Sequence, residues 1–131
     1  MLKAHDRAYP AVSTNPEVEP YWEGARAGKL MIKHCTACNK PHFYPRTICP
    51  RCFSDATEWH QASGKGTLYT FSAMRRTKEP FAIAFVTLQE GVSMMTNIVD
   101  CDLDALQIGQ AVELRWRNAE DGTPIPVFAP A

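Results

Sequence analysis

From residue 66 to the end of the chain, apolar and polar positions fall into short runs of the kind that makes strands. The segments GTLYTFSAM (66–74), FAIAFVTL (81–88), SMMTNIV (93–99), AVELRW (111–116) and PVFAP (126–130) are rich in β-branched and aromatic residues, and turn residues separate them. Five such strands fit a small closed barrel. Between the third and fourth, DCDLDALQIGQ predicts one or two helical turns, opened by an Asp and ended at Gly109, where an OB barrel inserts its helix. Upstream the pattern differs. NPEVEPYWEGARAGKL predicts a helix opening at Pro20, with Tyr21, Trp22 and Ala25 on an apolar side and Gly28 stopping it. Pro10 and Pro16 keep the preceding stretch extended or turning.

Between helix and barrel lies CTACNKPHFYPRTICPRC, which holds four of the five cysteines as two Cys-x-x-Cys pairs. Such a pair folds into a knuckle that aims two sulfurs at one point, so two pairs complete a tetrahedron around one metal. The spacing therefore predicts Cys35, Cys38, Cys49 and Cys52 as the ligands of a structural ion. Ten residues separate the pairs, enough for a strand out, a turn at Pro45 and Arg46, and a return. LMIKH (30–34) and TEWHQ (57–61) read as flanking strands, with Phe43, Tyr44 and Trp59 available to cover the metal. A thioredoxin-like redox site needs one pair opening a helix within alternating strands and helices, a pattern this chain lacks. Four thiolates hold zinc or, as in rubredoxin, iron; zinc is the expected ion and iron the alternative. With all four positions filled by sulfur the site is closed to substrate, so its expected role is architectural.

The expected fold class is thus mainly β: an N-terminal extended segment and helix over 1–29, a rubredoxin-like zinc ribbon over 30–62, and a five-stranded OB-fold barrel over 63–131. At 131 residues the chain supports a modest core, about two-thirds of the unfolded surface being buried on folding. Its 14 basic and 14 acidic residues cancel, which argues against phosphate-rich partners and anionic membranes. A module binding single-stranded nucleic acid is the alternative reading, since ribbons and OB folds with stacking aromatic residues suit it, but it lacks the expected basic stripe. No segment has the ~20 apolar residues of a membrane span, and the start has no apolar run after its positive charges. Together with an odd cysteine count, this predicts a cytoplasmic protein.

The run YWEGARAGKLMIKHCTACNKPHFYPRTICPRC, followed by ATEWHQASGKGTLYTFS, TNIVDCDLDALQIGQAVELRW and PVFAPA, resembles the zinc-ribbon OB-fold family of acyl-CoA-associated proteins, first catalogued as domain of unknown function thirty-five. The resemblance runs from Pro20 nearly to the C-terminus. Its specific parts are the aromatic-Glu-Gly helix, the two knuckles, the Gly-x-Gly-Thr opening of a strand and the Ile-Gly-x-x-Val-Glu-Leu strand. It implies a non-catalytic accessory subunit, inactive alone, in a complex with a thiolase-like enzyme whose own residues do the chemistry. The reaction would be acyl-CoA thiolysis, condensation or retro-aldol cleavage in a degradation pathway. A two-plus-two assembly and a role in shaping the coenzyme A site are further implications.

Against that background, Arg75, Arg76 and Lys78, in the loop RRTK between the first two barrel strands, are candidate contacts for coenzyme A phosphates, with a solvated loop as the alternative. Tyr21, Trp22 and Phe81 are candidate partner anchors, with packing of the helix on its own barrel as the alternative. His34 and His42 flank the metal segment and are expected to be packed rather than ligating. Cys101 stands alone and is expected to be a small core or surface residue rather than a nucleophile.

Overall fold

A computed structural model describes residues 1–131. Helix α1 spans Glu19–Arg26, with Pro20 in its first turn, where no N–H partner is needed. It buries Tyr21, Trp22 and Ala25. Its end is set by Gly28, whose φ of 76° lets the chain reverse while Lys29 N donates to Gly24 O at 2.8 Å. No helix of the chain is long and apolar enough to cross a membrane.

The ribbon is a three-stranded sheet in the order β2-β1-β3, from β1 (Met31–Cys35), β2 (Lys40–His42) and β3 (Thr57–Gln61). β1 and β3 lie within a residue of the expected segments. The strand out and back between the cysteine pairs is not what forms. Only the three-residue β2 pairs there, and Pro45 and Arg46 do not turn one strand into another. Side chains replace the ladder. Arg46 N donates to His42 Nε2 at 3.3 Å, Thr47 N donates to the Glu17 carboxylate at 2.9 Å, and the Thr57 hydroxyl donates to Thr47 O at 2.8 Å. Backbone groups satisfied in this way need no second strand.

Strands β4 (Lys65–Met74), β5 (Phe81–Leu88), β6 (Ser93–Ile98), β7 (Ala111–Asn118) and β8 (Pro124–Pro130) close into a barrel in the order β4-β5-β6-β8-β7. All five match segments predicted from the pattern. The β6–β8 pairing is parallel, with Ile98 opposite Phe128; all others are antiparallel. Of the one or two helical turns expected between the third and fourth barrel strands, one forms, a 3-10 turn at Leu103–Ala105, and it ends at Leu106 rather than at Gly109. Asp102 caps it, its carboxylate accepting from Asp104 N and from Leu2 N.

β4 serves two neighbours. Its first residues pair with β7 and nearly its whole length with β5, and a register shift between Leu68 and Thr70 bends it from one to the other. Gly66 sits at this seam, opposite both Leu88 and Val112. A Cβ there would lie 2.6 Å from Val86 Cγ1 and 2.8 Å from the carbonyl of Thr87. Because one of these atoms is backbone, Gly66→Ala is expected to destabilise the barrel by about 1–3 kcal/mol. A urea midpoint equal to that of the parent would refute the close approach.

One apolar core unites the elements. Tyr21, Trp22 and Ala25 of α1, with Leu30 and Ile32 beside and within β1, join Leu68, Val86, Leu88, Met94, Ile98, Val112 and Phe128 of the barrel in a single buried cluster. Tyr21 is 3% exposed and Trp22 7%, so neither projects as an anchor for another molecule. They pack on their own protein, because the apolar side of an eight-residue helix finds the ribbon and barrel within reach. The first twelve residues, expected only to be extended, form a strap across the barrel. Ala4 N donates to Cys101 O, His5 N to Pro80 O, and Leu103 N to Leu2 O, each at 2.7–2.9 Å. Arg117 fixes the strap by pairing with Asp6 at 2.9 Å while also holding Asp100 at 2.8 Å.

Candidate metal centre and its surroundings

The four paired cysteines converge at the ribbon's knuckle end, where all four Sγ atoms lie within 4.8 Å of one another. Cys35 Sγ stands 3.6 Å from Cys52 Sγ, and Cys38 Sγ 3.8 Å from Cys49 Sγ. Sulfurs bound about 2.3 Å from a tetrahedral ion stand about 3.8 Å apart, so the donor set fits one metal. Each knuckle needs a left-handed residue after its second cysteine. Asn39 (φ 57°) and Phe53 (φ 64°) fill those places, Asn readily and Phe against its steric preference. The backbone supports the sulfurs as well. N–H groups of Cys52 and Arg51 hold the Cys49 thiol below its ordinary range, and Arg51 N lies 3.4 Å from that Sγ. A thiol held this low gives up its proton readily to a metal.

Neither neighbouring histidine joins the quartet. His34 Nε2 lies 3.0 Å from Asn39 Oδ1, with its ring stacked on His60 at 4.9 Å. His42 is buried, its Nε2 engaged by the backbone of Arg46. Phe43 and Tyr44 pack on Tyr21, with centroids 5.8 and 5.5 Å away, and so tie the ribbon to α1. Trp59 carries Lys33 Nζ over its ring at 4.7 Å. Cys101 lies apart from the quartet and is half-buried. Desolvation, aided by Asp102 and Asp100, pushes its thiol up to about 11, which leaves it a poor nucleophile.

The basic loop sits where the pattern placed it, between β4 and β5, but its members differ. Arg75 pairs with the carboxylate of Asp104, while Arg76 and Lys78 are exposed and in no ion pair. Phe81 is half-buried beneath Arg7, whose guanidinium lies 4.2 Å from the ring centroid. The sequence pattern did not single out Arg7. A lone arginine in a Pro-flanked extension carries no local signal of the surface it will meet.

Residues 22–58 match the family model "ChsH2, rubredoxin-like zinc ribbon domain", and residues 59–117 match "ChsH2, C-terminal OB-fold domain". A DUF35 domain-containing scaffold protein of Methanocaldococcus jannaschii is 36% identical over 102 residues, 71% of this chain and 72% of that one. A probable enoyl-CoA hydratase alpha subunit of Thermomonospora curvata is 31% identical over 127 residues. These cover 93% of this chain but only 40% of that subunit's length. A solved structure, an Ltp2-ChsH2(DUF35) aldolase, superposes with a TM-score of 0.79 at 30% identity, covering 92% of this chain and 98% of the matched one.

Proposed function

The chain belongs to the ChsH2 family of zinc-ribbon OB-fold proteins, the DUF35 scaffold proteins, and from that membership we propose that it is the non-catalytic small subunit of a thiolase-type acyl-CoA enzyme. In that role it holds the complex together and contributes to the coenzyme A site, while the larger subunit carries out thiolysis, condensation or retro-aldol cleavage. The observation that carries the reading is the fit of this chain to 98% of its counterpart in an aldolase composed of two proteins.

In this reading Cys35, Cys38, Cys49 and Cys52 hold one zinc ion. Bound zinc supplies structure alone, since four sulfurs leave no position for water or substrate. The surface also suits a subunit. Phe85 and Met95 stand opposite each other on β5 and β6, 43% and 64% exposed, and Tyr69 at the bend of β4 is 65% exposed. Apolar side chains clustered in the open are what a partner covers. Arg76 and Lys78 remain the residues of the basic loop free to meet coenzyme A phosphates.

Capture of the native protein with its companions tests the reading. The chain is expected to co-purify with a thiolase-like enzyme and to show no acyl-CoA turnover when separated from it. Recovery only as a lone species, or turnover by the chain alone, would overturn it.

A further inference from the structure

Apart from the cysteine quartet, two imidazoles share one side of the ribbon. Successive residues of a strand face opposite sides of its sheet, so Cys35 turns toward the other sulfurs while His34, its neighbour on β1, turns away. Glu58 of β3 lies opposite His34 in the register, and His60, two residues further along β3, falls on the same side as both. The two rings lie face to face, with centroids 4.9 Å apart and planes 11° from parallel. His34 is half-buried and His60 exposed.

One nitrogen of each ring is already engaged. His34 Nε2 lies 3.0 Å from Asn39 Oδ1, and His60 Nε2 lies 2.7 Å from Glu58 Oε1. Both partners are oxygens that only accept, so in the neutral state each ring carries its proton on Nε2 and keeps Nδ1 as a bare lone pair. Neither Nδ1 takes part in any of these bonds. A metal-ligating histidine is prepared in the same way: an oxygen acceptor on the far nitrogen fixes tautomer and ring, and raises the basicity of the near one. His42 has the reverse arrangement, its Nε2 accepting from Arg46 N, and it is buried.

A zinc-type ion takes neutral imidazole nitrogen at about 2.0–2.1 Å, so two such nitrogens on one tetrahedral ion stand about 3.3 Å apart. Closing the pair to that separation requires the rings to swing out of their parallel stack. Each is held by a single side-chain hydrogen bond at the ribbon surface, which leaves that rotation open. With only two protein nitrogens, water fills the remaining positions, and the ion is held less tightly than by four thiolates.

We propose that His34 and His60 form a second, exchangeable cation site on the ribbon face, taking a divalent ion of zinc type through Nδ1 of each ring, with Asn39 and Glu58 as positioning residues. The site is separate from the structural quartet and independent of the subunit reading.

Calorimetry in which zinc is added to the full-length chain with its quartet already filled tests it. One further ion per chain is expected to bind. His60→Ala is expected to weaken that uptake about tenfold or more and Glu58→Ala about tenfold, with the quartet's metal and the melting temperature unchanged. His34 stands beside Cys35, and its replacement disturbs the knuckle, so nitrogen-15 spectra of histidine-labelled protein read its part instead. The Nδ1 signals of His34 and His60 are expected to shift together and saturate at one added ion, while those of His42 stay in place. No saturable uptake of a second zinc, uptake unchanged in His60→Ala, or His34 and His60 responding at different zinc concentrations would overturn the proposal.

Discussion

Cys49→Ser is expected to strip the ribbon of its metal and melt it. Metal binding and folding are one event in small ribbons, with an apparent contribution of ~10 kcal/mol or more in zinc-finger peptides. Cys49 is 0% exposed, and its sulfur sits 3.8 Å from Cys38 Sγ. A serine oxygen at that place is a poorer ligand for zinc and would leave three thiolates facing one another. The damage should spread, since Leu30 and Ile32 of the ribbon share one core with the barrel. If half of that contribution is lost, about 5 kcal/mol, the melting temperature falls by roughly 15 °C for a chain of this size. Elemental analysis should drop from one ion per chain to nearly none. Cys101→Ser, outside the quartet, should change neither quantity. A Cys49→Ser protein with its full metal content and parental melting would refute the ligand set. The colour of the parent identifies the ion, because ferric thiolate is red and zinc thiolate colourless.

Phe128→Ala is expected to have the second largest effect, and on the barrel. Phe128 is 0% exposed and sits on β8, the strand that closes the barrel between β6 and β7. It pairs with Ile98 on one side and Leu114 on the other, and its carbonyl accepts from Val99 N at 2.8 Å. The β6–β8 contact is a single parallel pair, so little backbone bonding there compensates for lost packing. Truncating a buried phenylalanine costs about 3–5 kcal/mol through lost transfer energy and the cavity left behind. The expected fall in melting temperature is roughly 10–15 °C, whereas Tyr69→Ala, on an exposed side chain, should stay near the parent. Equal melting of the two variants would mean that the interior is not packed around Phe128.

The cysteine quartet was legible because two Cys-x-x-Cys pairs constrain geometry locally: each knuckle is made within four residues. The barrel strands were legible for the same reason, since strand-forming runs between turn residues mark them one at a time. FAIAFVTL maps onto β5 residue for residue. The helical insertion, expected as one or two turns opened by an Asp, forms as one, with Asp102 as the opening residue; the pattern of DCDLDALQIGQ does not show that Leu106 leaves the helix well before Gly109. The outgoing strand forms as the short β2, but the return strand expected between the cysteine pairs does not, because side chains of Glu17, His42 and Thr57 take the backbone bonds there. Glu17 is thirty residues from its partner, too far for any local pattern to register.

What the sequence determined by itself is therefore the set of parts: a metal ribbon, five barrel strands and a short amphipathic helix. Each part is specified by the chemistry of residues close in the chain. Tertiary structure alone decided what each apolar or charged face meets. Tyr21 and Trp22 turn inward although an aromatic pair would equally suit a partner, Arg75 is claimed by Asp104, and Arg7 comes to rest on Phe81. The physical reason is that an apolar face must be covered but does not encode by what. That choice is made by a shared core that brings together residues as far apart in the chain as Ala4 and Phe128.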